Sequence, residues 1–107
     1  MVVGFGGALA EVVDDIAIVP GDACRSEIEV ALKSLKCAPV LEGVRGGPRR
    51  DFRALVDAVE TVAAILASSP TVEEVELNPL LVLEDGSGAV ALDAVVRAFN
   101  PVSAVRR

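Results

Sequence analysis

The 107 residues predict an α+β fold, a small antiparallel sheet built from two amino-terminal strands and a carboxyl-terminal hairpin and covered by two helices. Three observations lead there. Apolar residues recur at helical spacing in two central stretches, one before Leu35 and one after Asp51. Short apolar runs bounded by glycine or proline flank those stretches on both sides. Near the carboxyl end an Asp85-Gly86 pair sits between apolar runs, the favoured loop of a two-residue hairpin. A chain of this length with 52% hydrophobic content can bury roughly two thirds of its unfolded surface, enough for one core and too little for a second domain.

Taken in order, Gly4-Phe5-Gly6-Gly7 leads into a first strand over Ala8 to Val13, and Ile16 to Val19 forms a second after Asp14-Asp15. The glycines do not form a dinucleotide fingerprint, which needs a third glycine where Leu9 stands and a helix after it. Their ordinary role is a tight turn or a close backbone approach. Pro20-Gly21 ends the second strand, and Asp22 is a candidate cap for a helix to Leu35 carrying Ile28, Ala31, Leu32 and Leu35 on one stripe. Asp51 is the candidate cap of a second helix, with a stripe of Phe52, Leu55, Val59, Val62 and Leu66 that Ser68-Ser69-Pro70 stops.

The hairpin carries the chemistry. If Glu84 and Ser87 close the turn, counting outward sets Asn78 of Glu76-Leu77-Asn78-Pro79-Leu80 directly opposite Asp93. Opposed residues share a sheet face with Cβ atoms roughly 4.5 to 5.5 Å apart, close enough for an amide and a carboxylate to chelate one small cation. The same register puts Leu77, Leu81, Leu83, Val90 and Leu92 on a face expected to be core, and Glu76, Asn78 and Asp93 at the acidic end of the other face. A divalent ion would relieve the repulsion there, and magnesium commonly takes one or two protein carboxylates, filling its octahedron with water and phosphate oxygens. The bland alternative is that Asn78-Pro79 marks a strand irregularity and Asp93 is merely solvated.

Glu-Leu-Asn-Pro-Leu with an aspartate on the return strand resembles the magnesium-binding hairpin of ATP-grasp enzymes, in particular the ADP-forming acyl-CoA synthetases related to succinyl-CoA ligase beta subunits. Three further stretches match that family in the same order: Gly4 to Val12 with Asp15, Ala38-Pro39-Val40-Leu41-Glu42-Gly43-Val44-Arg45-Gly46, and Ala89 to Arg97. The resemblance implies that residues 1–99 are the carboxyl-terminal lobe of an ATP-grasp domain, with 100–107 a tail or linker. It makes Asn78 and Asp93 the Mg2+ ligands and sets Glu76 beside metal and nucleotide phosphates. Glu11, on a strand that in the family faces nucleotide, becomes a weaker candidate for ATP/ADP binding.

The departures carry equal weight. The family's preceding lobe supplies lysines and the hinge that grips adenine, and neither is found in this sequence. Family members pass the phosphoryl group through histidine, and this sequence contains none. The expectation is therefore part of an acid–thiol ligase, inactive alone, whose partners are the remaining ATP-grasp lobe and the CoA-binding domains or subunit. The implied reaction converts an acyl-CoA, ADP and phosphate to a free acid, coenzyme A and ATP, or the reverse. Competing readings are a binding or scaffolding module that kept the fold, another ATP-grasp ligase, or a fused acetyltransferase.

Between the helices, Arg45, Arg49, Arg50 and Arg53 gather four of the ten basic residues into one glycine-rich loop. A basic loop in an acidic protein invites an anion, and the guanidinium fork suits phosphate oxygens; Arg45 is the strongest candidate because it lies in the family-like Gly-Val-Arg-Gly. The net charge of −6 argues against nucleic acid. No apolar run approaches the ~20 residues of a membrane span and no signal-peptide pattern opens the chain. Cys24 and Cys37 lack the partners of a zinc motif and are expected reduced, in keeping with a cytoplasmic protein. An exposed, partly apolar lobe surface makes a homodimer a further expectation.

Overall fold

The computed structural model describes residues 1–6, 15–44 and 46–100. Its elements run β1 (Val2–Gly4), β2 (Ile16–Ile18), α1 (Arg25–Lys33), a short 3-10 turn (Ala38–Glu42), α2 (Phe52–Ser68), β3 (Val72–Leu77), β4 (Leu80–Val82), β5 (Ala89–Ala91) and β6 (Ala94–Ala98). The α+β class and its two helices are as predicted. The strands form three antiparallel two-stranded ladders, β1–β2, β3–β6 and β4–β5, instead of one continuous sheet. The first strand lies at Val2–Gly4, ahead of the glycines; the expected strand at Ala8 to Val13 falls outside the described residues.

Helix α1 starts later than its apolar stripe suggested. Cys24, not Asp22, takes the cap position, because Glu27 reaches back three residues and accepts the Cys24 N–H at 3.0 Å. Arg25 then clips α1 to α2 by pairing with Asp57 at 2.8 Å and with Glu60. Helix α2 begins where predicted, with Asp51 accepting the Ala54 N–H at 3.0 Å.

The core lies between the helices and β2. Ile28, Leu32, Val19 and Val56 are its fully buried large side chains, joined by Leu35, Leu55 and Val59. Two carboxylates are buried beside it. Asp15, 3% exposed, accepts the backbone N–H groups of Lys36 and Cys37 at 2.7 and 2.8 Å, which ties the residue before β2 to the segment leaving α1. Asp51, 8% exposed, adds to its cap a bond from the Gly88 N–H at 2.9 Å.

The hairpin's inward face differs from the expectation. Leu80 and Val82 pack on the core, whereas Leu81, Val90 and Leu92 are exposed. On β3 it is Val75 and Leu77 that are half-buried, alternating with exposed glutamates. The inward phase therefore shifts by one residue across Asn78-Pro79. A proline has no N–H to give the ladder, so the pairing divides there into two ladders that present opposite parities to the helices. Strict alternation along the whole ribbon, the assumption behind the predicted core face, ends at that break.

Candidate functional site

The predicted register holds from the turn out to Glu74 and Arg97, and slips by one residue beyond them, where Val72 pairs with Ala98. Val75, Glu76 and Leu77 pair with Val96, Val95 and Ala94, and Leu80, Leu81 and Val82 pair with Ala91, Val90 and Ala89. The turn closes as expected, with the Ser87 N–H donating to the Glu84 carbonyl at 2.8 Å and Gly86 at φ 85°. Gly86 takes the left-handed region that only glycine enters freely. At the junction between the ladders the Asn78 N–H donates to the Asp93 carbonyl at 3.1 Å and the Leu92 N–H to the Pro79 carbonyl at 3.0 Å, across a cis Asn78–Pro79 peptide.

Asn78 thus stands opposite Asp93. Glu76 joins it through the side chains, the Asn78 amide donating to Glu76 Oε1 at 3.3 Å. That bond turns the amide NH2 toward the carboxylate and leaves the amide oxygen as the atom available to a cation. All three residues are exposed. Among the described residues no three histidines, cysteines, aspartates or glutamates converge as a self-sufficient metal cage. The candidate ligands are one amide and two carboxylates, hard oxygen groups of the kind that magnesium accepts when it shares its coordination shell with phosphate.

Glu76 and Asn78 also line a groove of about 570 Å³ that runs between β1, at Val3, with Phe5 just after it, and α2, at Leu55 and Val59. Its walls are largely apolar, so the polar hairpin end forms one margin of an otherwise hydrophobic cleft. Arg45 and Glu11, the other predicted nucleotide-binding residues, lie outside the described residues. The remaining arginines of the basic loop do not join the hairpin end. The backbone of Arg50 forms an isolated β-bridge with that of Glu84 and the Arg49 carbonyl accepts the Asp85 N–H at 2.8 Å, which puts both beside the turn.

Sequence reasoning missed the second bond of Asp51 and the anchoring of Asp15. Two buried acceptors were visible only as a helix cap and a strand-end residue. Asp15 titrates below the ordinary carboxylate range: burial pushes it up, but donation from Cys37 and Lys36 outweighs it. The Cys37 thiol is pushed up, first by its contact with the Asp15 carboxylate and then by burial. Cys24 and Cys37 are both free, and the raised thiol is the opposite of what a nucleophile needs. No helix among the described residues is long and apolar enough to cross a membrane.

A chain with this hairpin and this helix pair belongs to the ATP-grasp domain family, which matches residues 1–98. Its relatives are CoA ligases. It is 34% identical over 93 residues to a trans-feruloyl-CoA synthase from an unknown prokaryotic organism, and 33% identical over 94 residues to the ADP-forming acetate–CoA ligase of Methanocaldococcus jannaschii. These alignments take in 87% and 88% of this chain and 13% of each relative, so the chain spans about an eighth of their length. The fold superimposes with a TM-score of 0.83, at 24% identity, on the dinucleotide-forming acetyl-coenzyme A synthetase 1 of Ca. Korarchaeum cryptofilum, solved with coenzyme A and Mg-AMPPCP. That match covers 92% of this chain and 45% of the other.

Proposed function

We propose that the chain contributes the magnesium- and phosphate-binding half of the nucleotide site in an ADP-forming acyl-CoA synthetase, with residues 1–99 as one ATP-grasp lobe. The observation that carries the reading is the pairing of Asn78 with Asp93 at the break in the ribbon, with Glu76 bonded to the Asn78 amide. Asn78 and Asp93 would hold the ion, and Glu76 would orient the amide so that its oxygen faces the cation. A magnesium ion held there would offset charge on the nucleotide phosphates as a phosphoryl group moves.

The solved relative was captured with a magnesium nucleotide analogue and with coenzyme A, which supports Mg2+, ATP/ADP and coenzyme A as ligands of the complete enzyme. Its phosphohistidine segment points towards the nucleotide site. This sequence has no histidine, so the phosphoryl relay, the CoA-binding part and the adenine-gripping lobe would be supplied by further domains or a partner subunit. Arg45 and Glu11 are assigned to the nucleotide side of the lobe on family resemblance alone. Exposed Ile16, Ile18, Val95 and Val96 would be covered when the rest of the ligase closes, or in a homodimer. Two free thiols agree with a cytoplasmic setting.

The test is paramagnetic broadening by manganese in the presence of ADP. The amide signals of Glu76, Asn78 and Asp93 should broaden first, and Asp93→Ala should abolish the effect at the same concentrations. Uniform or absent broadening would favour a scaffold that has kept the fold without the metal.

A further inference from the structure

A second cavity, of about 380 Å³, opens between the 3-10 turn and the start of α2, and its charge is opposite to that of the protein. It is lined by Lys33, Arg49 and Arg50, with Glu42 the one acidic residue, and by an apolar wall that includes Pro39 and Phe52. Three cations against one anion stand out in a chain of net charge −6. None of the three forms an ion pair among the described residues; the pairs found there belong to Arg25 and Arg97. Lys33 lies 5.4 Å from the centre of the Phe52 ring, a cation–π contact that holds the ammonium at the cavity wall without neutralising it.

The backbone under the two arginines is fixed. The Arg50 N–H donates to the Leu41 carbonyl at 2.8 Å, the Arg50 backbone forms a β-bridge with that of Glu84, and the Arg49 carbonyl accepts the Asp85 N–H. A site whose scaffold is already in place loses less on binding than one that must be ordered. Unpaired guanidiniums on such a scaffold offer paired N–H donors to tetrahedral oxyanions, and an adjacent ammonium adds a point charge.

We propose that this cleft binds the phosphate or diphosphate group of a small phosphorylated molecule, at a site separate from the Asn78–Asp93 hairpin end. Along the ribbon, Asn78 and the Glu84 bridge to Arg50 are six residues apart, roughly 20 Å of extended chain, so one phosphate cannot serve both. The proposal does not depend on the metal reading.

The experiment is calorimetric titration of the 107-residue chain with pyrophosphate in EDTA, at an ionic strength fixed with chloride. Saturable one-to-one binding is expected. The double variant Arg49→Gln/Arg50→Gln should weaken it at least tenfold, while Asn78→Ala/Asp93→Ala should stay within twofold of the parent. Circular dichroism checks folding, and Lys33→Met, on an exposed helix position, provides an independent loss should the arginine pair not fold. Competition in the Asn78→Ala/Asp93→Ala background identifies the source: displacement by ADP assigns a nucleotide phosphate, and displacement by inorganic phosphate alone assigns the free anion. Absence of saturable binding, an affinity unchanged from the parent in the arginine and lysine variants, or an equal loss in the hairpin variant would overturn the proposal.

Discussion

The carboxylate of Asp51 joins the start of α2 to the turn of the hairpin, one oxygen taking the Ala54 N–H at 3.0 Å and the other the Gly88 N–H at 2.9 Å. A helix cap is thereby also the tether of the hairpin to the helical layer, reinforced by the Asp51 N–H donating to the Leu83 carbonyl at 2.8 Å. Removing the side chain strands two donors at once, both in part-buried bonds and neither with a helical alternative. Asp51→Ala is expected to lower the thermal midpoint by on the order of 5 °C or more. Asp57→Ala, whose exposed partner Arg25 retains Glu60, should lower it by clearly less. Equal midpoints for the two variants would refute the tether.

Acid sensitivity follows from the same bonds. Asp51 is held below the ordinary carboxylate range by donation from Ala54 and Gly88, against burial. Asp15 is also held low, because the N–H groups of Cys37 and Lys36 outweigh burial. A carboxyl depressed on folding contributes stability that is present above its unfolded pKa, near 4, and is lost as pH falls through the lower folded value. The midpoint should therefore be insensitive to these two groups between pH 5 and 7 and should fall below about pH 4. In the Asp15→Asn/Asp51→Asn double variant that acid slope should flatten; an unchanged slope would assign the loss elsewhere.

Much of this was legible in the sequence, and for reasons of different strength. The Asp85-Gly86 turn fixed the register of the hairpin, because a two-residue loop leaves no freedom in which residues face each other. The Asp51 cap and its apolar stripe located α2 for the same kind of reason, a local signal with a local consequence. What the sequence could not supply was which face of the ribbon turns inward after Asn78-Pro79, since alternation carries no information across a break in the ladder. The start of α1 was misread because Asp22 is the better cap by residue type, whereas the Glu27 side chain selects Cys24. The basic loop was legible as charge, but its separation from the hairpin end depends on Arg50 bridging Glu84, a pairing that no local pattern announces.

The shifted face makes a direct mutational prediction. Val82 packs on the core and Val90, one position away in its pairing on the partner strand, is 45% exposed. Truncation of Val82 to alanine should destabilise by about 1 kcal/mol, given roughly 0.8 kcal/mol for each buried methylene and incomplete burial. Val90→Ala should stay within about 0.5 kcal/mol of the parent. As an upper reference, Leu32, fully buried in α1, should lose about 2–5 kcal/mol on truncation. Urea titrations rank the three, and Val90 proving costlier than Val82 would restore the alternating ribbon.

Gly43 is the most constrained glycine among the described residues. It ends the 3-10 turn at φ 103°, and a Cβ there would meet the Gly47 carbonyl oxygen at 2.5 Å. Left-handed backbone and a backbone collision act together, so Gly43→Ala should destabilise by about 1–3 kcal/mol from the conformation alone, with the contact adding to it. Gly86→Ala is the control, since its φ is also positive at 85° but its Cβ would meet open space. Chemical denaturation should rank Gly43→Ala as the worse of the two, and the reverse order would show that the loop relaxes around the added methyl.

If the hairpin is a half-site, binding and turnover should separate. The hairpin would then hold a cation and phosphates, but the chain offers no histidine to carry a phosphoryl group, and the free Cys37 thiol is pushed up, away from the thiolate form. The purified chain is expected to bind manganese with ADP and to show no acyl-CoA formation from acid, coenzyme A and ATP. Asp93→Ala should weaken the manganese-dependent ADP affinity by tenfold or more, about 1.4 kcal/mol, because a cation loses a charged ligand that the opposing amide cannot replace. Glu76→Gln should lose less, as a glutamine can still accept from the Asn78 amide. Turnover proportional to the concentration of pure chain would sink the half-site reading, and ADP affinity indifferent to both substitutions would remove the hairpin from it.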